Sequence, residues 1–131
     1  MYIPPGFNTV TTYFIVKGAD QFINFLTNGL GGVETLRHAE EDGRIAHAQV
    51  QIGDSTVMLC EATEDYPAIE MSLYLFVNDA DESMKRSIAA GAQQVMPVSD
   101  QPYGDRQGGI KDTHGNFWWL SQRLIEAPYS V

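Results

Sequence analysis

Apolar residues along this chain follow two rhythms, and the two come in the same order twice. Tyr13-Phe14-Ile15-Val16 is a continuous apolar run of strand length, after which Ala19, Phe22, Ile23, Phe25 and Leu26 take the spacing of a helix that closes at Gly29. Val33 to His38, Ile45 to Ile52 and Thr56 to Glu61 then read as strands, divided by the hairpin-type pairs Asp42-Gly43 and Gly53-Asp54. The pattern restarts at Tyr74-Leu75-Phe76-Val77, runs into Ala80-Asp81 as the first run does into Ala19-Asp20, and continues as a helix through Met84 and Ile88 to Gly91. Asp79 with Glu82 three residues on has the form of a capping box. Beyond it the reading predicts a strand over Gln94 to Pro97, a long loop from Ser99 to Gln107, a short segment near Ile110 and a last strand from Asn116 to Leu120. Gly31-Gly32 and Gly108-Gly109 read as turns.

The order is strand, helix, three strands, repeated at a spacing of about 61 residues. It predicts one α+β domain over residues 1–131 built from two modules, approximately 9–62 and 70–123. Two amphipathic helices cover only one face of so many strands. The other face is left to a second layer, a partner chain or a cleft.

Composition narrows the partners. Apolar residues make up 44% and charged residues 19%, the balance of a folded protein. A net charge of −9 argues against a nucleic-acid backbone and against an anionic membrane surface as partner. The single Cys60 makes no intrachain disulfide, and the Met1-Tyr2-Ile3-Pro4-Pro5-Gly6 start lacks the basic and apolar parts of a signal peptide. A cytoplasmic location is the expectation.

Four segments carry a family resemblance: Asp42-Gly43-Arg44-Ile45-Ala46-His47-Ala48, Ile52-Gly53-Asp54-Ser55, Pro102-Tyr103-Gly104-Asp105-Arg106, and Lys111-Asp112-Thr113-His114-Gly115-Asn116-Phe117-Trp118-Trp119-Leu120. On these the chain resembles the vicinal oxygen chelate superfamily, which takes in glyoxalases, bleomycin resistance proteins and extradiol dioxygenases, and within it the PhnB-like group. The resemblance implies two βαβββ modules whose curved mixed sheets form a cup, often in a homodimer. In metal-dependent members it also implies four His or Glu ligands on the first and last strands of each module. The positions implied here are Thr11, Leu59, Ser72 and Trp119, which offer two hydroxyls, an alkyl chain and an indole that only donates. Their neighbours Thr12, Met58, Cys60, Leu73, Trp118 and Leu120 supply no His/Glu set either. The expectation is therefore no metal and no cofactor.

If those positions face the cup, strand alternation places Thr11, Tyr13 and Ile15 there from the first strand and Ser72, Tyr74 and Phe76 from the fifth, joined by Leu59, Phe117 and Trp119. Such a lining is aromatic and nearly uncharged and suits an organic ligand. Thr12, Phe14, Val16, Leu75, Val77, Trp118 and Leu120 would face the helices. Arg106, read in the long loop, is a candidate clamp for a ligand carboxylate or phosphonate, or else with Asp105 pins the loop locally or to the other module. His47 lies in a polar stripe with Gln49 and Gln51 and is a satisfied structural histidine, or else a general base or isolated metal ligand. His38 and His114 read as surface and turn residues, and Cys60 as packing.

Two functions follow from different classes. One is a metal-independent, small-molecule-binding homodimer of the bleomycin-resistance type. The other is a glyoxalase-like lyase or isomerase with a displaced or non-standard metal site and His47 or Arg106 in its chemistry. A third reading makes the aromatic face only a subunit interface.

Overall fold

The computed structural model describes residues 1–130. Contacts divide the chain into two compact units, the first Met1–Ile69 and the second beginning at Glu70. The first holds β1 (Tyr13–Val16), α1 (Ala19–Asn28), β2 (Val33–Ala39), β3 (Ile45–Ile52) and β4 (Ser55–Glu61). The second holds β5 (Ser72–Phe76), α2 (Ala80–Ala89), β6 (Gln93–Asp100), β7 (Asp105–Lys111) and β8 (Phe117–Arg123). Each unit is a mixed four-stranded sheet, ordered β1-β4-β3-β2 and β5-β8-β7-β6, in which the first strand pairs parallel with the last and the rest run antiparallel. Among the described residues no helix is long and apolar enough to cross a membrane.

The helix in each unit forms where its apolar stripe can be buried. In α1, Ala19, Phe22, Ile23, Phe25 and Leu26 are all buried, with Phe22 edge-on to Phe14 of β1 at 4.8 Å between ring centroids. The two helix starts are solved differently. Asp79 caps α2 by accepting from the Glu82 N–H at 3.1 Å, as the capping-box spacing predicts. At the same place in α1 stands Gly18, at φ 80°, which has no side chain to cap with. Glu61 at the end of β4 takes over, accepting from the N–H groups of Gly18 and Ala19 at 2.9 Å each.

The second half departs from its sequence reading. The expected long loop shrinks to a short turn at Gln101–Gly104, its two ends belonging to β6 and β7. Pro97 interrupts the apolar pattern but is tolerated because β6 is an edge strand whose register shifts around it, between Met96 and Ser99. Gly108 and Gly109 are not a turn; they lie inside β7 because neighbours occupy the space a side chain would need. A Cβ on Gly108 would stand 2.7 Å from the Met84 and Val98 side chains, on the helix side of the sheet.

Asp112 anchors the turn before the last strand. It is almost fully buried and accepts from the N–H groups of His114 (2.8 Å) and Asn116 (3.0 Å) and from the indole of Trp118 (2.8 Å). Asn116 in turn accepts from the Met71 N–H at 2.9 Å and so ties this turn to the start of β5.

Candidate functional site

Pleating gives each sheet one face packed on its helix and one turned away from it. In the second unit the outward face carries Ser72, Tyr74 and Phe76 of β5 and Phe117, Trp119 and Ser121 of β8, while Trp118 and Leu120 are buried on the helix side. This agrees with the alternation read from the sequence. Tyr74 lies opposite Trp119 in the parallel pair, and Ser72 opposite Phe117. Phe117 and Trp119 stack with centroids 6.1 Å apart and planes 12° apart, and Tyr74 and Phe76 meet edge to face at 5.4 Å. The Trp119 indole donates to the Ser72 hydroxyl at 3.0 Å, and Lys111 sits 5.8 Å above the Phe117 ring. Exposed rings on this scale are unusual for a sheet face with nothing to hold: Tyr74 is 47% exposed and Phe76 59%.

One buried charge anchors the far end of this face. Asp105 of β7 has no exposed surface, yet it accepts from the hydroxyls of Tyr74 and Tyr129, each at 2.6 Å, and from Arg123 at 3.0 Å. Burial alone would raise its carboxyl; donation from Tyr129, Tyr74 and Arg123 outweighs that and holds it below the usual carboxylate range. The Tyr74 phenol is pushed up to about 12, by burial first and then by its bond to the Asp105 carboxylate. Beside this cluster Gln107 bridges the Tyr103 hydroxyl and Ser121. Sequence reasoning missed Asp105, Arg123 and Tyr129. In sequence Asp105 reads only as a loop residue that with Arg106 pins its own segment, and Arg123 and Tyr129 show no local pattern at all.

The outward face of the first unit is more polar. Tyr13 donates to or accepts from His47 Nδ1 at 3.1 Å, and Gln49 stands 3.0 Å from His47 Nε2, so both ring nitrogens of this histidine have partners. Thr11 precedes β1 and its hydroxyl donates to the Asn8 carbonyl at 3.1 Å. A pocket of about 350 Å³ lies at the outer end of this face, between the Pro5-Gly6-Phe7 segment and Thr35, Gln49 and Gln51.

Two predicted site residues are elsewhere. Leu59 is fully buried on the helix side: it pairs with Phe14 and Ala48, both without exposed surface. The 61-residue repeat explains the slip, because Leu59 corresponds to Leu120, and the residue corresponding to Trp119 is Met58, opposite Tyr13. Arg106 is also on the helix side, in β7 and not in a loop. It pairs with Asp81 in the first turn of α2 and with Asp100 of β6, both at 2.9 Å, which makes it an anchor for the helix and no clamp on the outward face.

The positions that would hold a metal do not fit one. Thr11 is engaged with backbone, Met58 offers a thioether where Leu59 was expected, the Ser72 hydroxyl is taken by an indole, and Trp119 has no lone pair to give. Among the described residues no three His, Cys, Asp or Glu side chains converge.

Comparison with known proteins agrees with this architecture. Uncharacterized protein Mb0911c of Mycobacterium bovis is 30% identical, the match covering 89% of this chain and 84% of the relative. Among solved structures, TioX from Micromonospora sp. ML1 has 28% identity and a TM-score of 0.76, covering 90% of this chain and 99% of its own. TnmS3, an antibiotic binding protein from Streptomyces sp. CB03234, shares the fold at 21% identity and a TM-score of 0.67, covering 88% and 97%. A PhnB protein from Bacillus cereus does so at 19% identity and 0.69, covering 88% and 99%. The family model of the Glyoxalase/Bleomycin resistance protein/Dioxygenase superfamily matches residues 6–120, and with two βαβββ units and their parallel outer pairs on view, the chain belongs to that superfamily.

Proposed function

We propose that this protein binds a small organic molecule on the outward aromatic face of its second unit and does so without a metal. The observation that carries the reading is the outward set of exposed Tyr74 and Phe76 with half-buried Phe117 and Trp119, gathered beside the buried carboxylate of Asp105. Flat apolar surface with a few oriented polar groups is what an aromatic ligand needs. The superfamily also holds catalysts, and fold does not choose between them. The side chains favour binding: Arg106 is committed to Asp81 and Asp100, and His47 has both nitrogens engaged. TnmS3, an antibiotic binder by its description, is a precedent on the same fold.

The test is a fluorescence titration of the protein against a chemically diverse set of aromatic and cationic compounds, with Trp119→Phe as control. Quenching that disappears in the variant is the expected result; silence across the set overturns the reading. Metal analysis of untagged protein decides the second half. One equivalent of zinc, nickel or iron per chain, lost in His47→Ala, would overturn metal independence.

A homodimer belongs to the same reading. The edge strand β2 is exposed along its whole length and presents Val33 and Leu36 beside unpaired backbone groups, which a second copy would cover. Sedimentation equilibrium is expected to give twice the 14.5 kDa chain mass. The unpaired, half-buried Cys60 is in keeping with a reducing cytoplasm as the place of work.

A further inference from the structure

The far end of the aromatic face is filled by the protein's own segment after β8. Beyond β8 the chain folds back, with Arg123 donating to the carbonyls of Ala127 (2.6 Å) and Pro128 (3.3 Å), and lays Tyr129 against the sheet. The Arg123 guanidinium sits 4.1 Å above the Tyr129 ring, the Phe76 ring is 6.5 Å away, and the Tyr129 hydroxyl donates to Asp105 at 2.6 Å. A cation over the ring, an aromatic wall and a fully buried acceptor at hydroxyl distance are together the requirements of a phenol-binding site. The other two donors to Asp105, Tyr74 and Arg123, come from strands β5 and β8. Tyr129 comes from a segment outside any strand or helix and is half exposed, so it can lift away while the strand residues of the site stay in place.

We propose that Tyr129 is a displaceable stand-in for ligand, and that the subsite it fills takes the hydroxyl-bearing aromatic ring of a phenol or naphthol. The inference rests on the binding reading above and narrows it to hydroxyaromatic ligands. An incoming ring slides beneath Arg123 and against Phe76 and donates its hydroxyl to Asp105 in place of Tyr129. Because the site is competent only when the segment is lifted, the closed form lowers apparent affinity by the fraction of open molecules. A ring without the hydroxyl leaves Asp105 a buried acceptor short of a donor and is discriminated against for that reason.

Calorimetric titration of the wild-type chain and Tyr129→Ala with 2-naphthol and with 2-methoxynaphthalene tests this. The variant is expected to bind 2-naphthol about tenfold tighter than wild type, and to bind the methyl ether at least about tenfold more weakly than the naphthol. A single cooperative urea transition shows that the variant is folded. Equal affinity of the two chains for 2-naphthol, or an equal gain with both probes, overturns the proposal. If wild type answers other aromatic compounds through Trp119 while Tyr129→Ala gains nothing for 2-naphthol, this inference falls and the binding reading stands. If Trp119 is silent to every compound and neither chain takes up 2-naphthol, both fall together.

Discussion

Trp119 lies across the backbone of Gly109, so close that a Cβ built there would stand 2.6 Å from Cζ3 of the indole. The two residues are directly opposite in the β7–β8 pair, and the missing side chain is what lets the indole lie down along the sheet and present its face. Gly109→Ala is expected to lift the indole, costing about 1–3 kcal/mol in urea unfolding and weakening any ligand that quenches Trp119. Near-ultraviolet circular dichroism reads the ring's displacement directly.

The Glu61 carboxylate does for α1 what Asp79 and Gln122 do between them for α2, since Gln122 also accepts from the Ala80 N–H at 3.0 Å. Glu61→Ala removes the carboxylate that both helix-opening N–H groups donate to and is expected to lower stability by about 1–2 kcal/mol. Glu61→Gln, which keeps one acceptor, is expected to recover part of that loss. Urea midpoints of the three chains check the order.

Asp112 gathers two backbone donors and the Trp118 indole in a nearly dry setting, and removing it breaks all of these bonds at once. Asp112→Ala is expected to cost about 3 kcal/mol or more, among the largest single losses in the chain. Thermal unfolding shows it without reference to any ligand.

Tyr74 gives the pH dependence a definite sign. Its phenol is pushed up to about 12 in the folded chain, above the usual tyrosine value of about 10 that it regains on unfolding, so the folded state holds the proton more tightly. That contribution to stability is fully present below pH 10 and is lost as pH rises towards 12. Urea unfolding across this window is expected to show a falling stability whose slope is shallower in Tyr74→Phe, with absorbance of the phenolate giving the titration itself.

Arg106 offers a test of placement. Because it faces Asp81 and Asp100 on the helix side, Arg106→Gln is expected to leave ligand quenching of Trp119 within about twofold of wild type while lowering the melting temperature slightly. A loss of binding with an unchanged melting temperature would return it to the ligand face.

The sequence alone determined the order of elements in the first unit, both helices and the repeat. Those signals are local: Phe22, Ile23, Phe25 and Leu26 recur at helical spacing, and Asp79 and Glu82 stand where a cap requires them. It also separated Tyr74, Phe76 and Trp119 from Leu75, Trp118 and Leu120, because alternation within a strand is a property of the backbone. Tertiary structure decided the rest. Gly108 and Gly109 look like a turn until Met84, Val98 and Trp119 are brought against them, and Pro97 looks like a stop until β6 is known to be an edge. Leu59 and Met58 differ by one residue in sequence and by a whole face in the sheet, a choice made by pairing with Phe14 and Tyr13. The meeting of Asp105, Arg123, Tyr74 and Tyr129 has no sequence signature, because four side chains from three strands and a terminal segment converge only when the sheet is assembled.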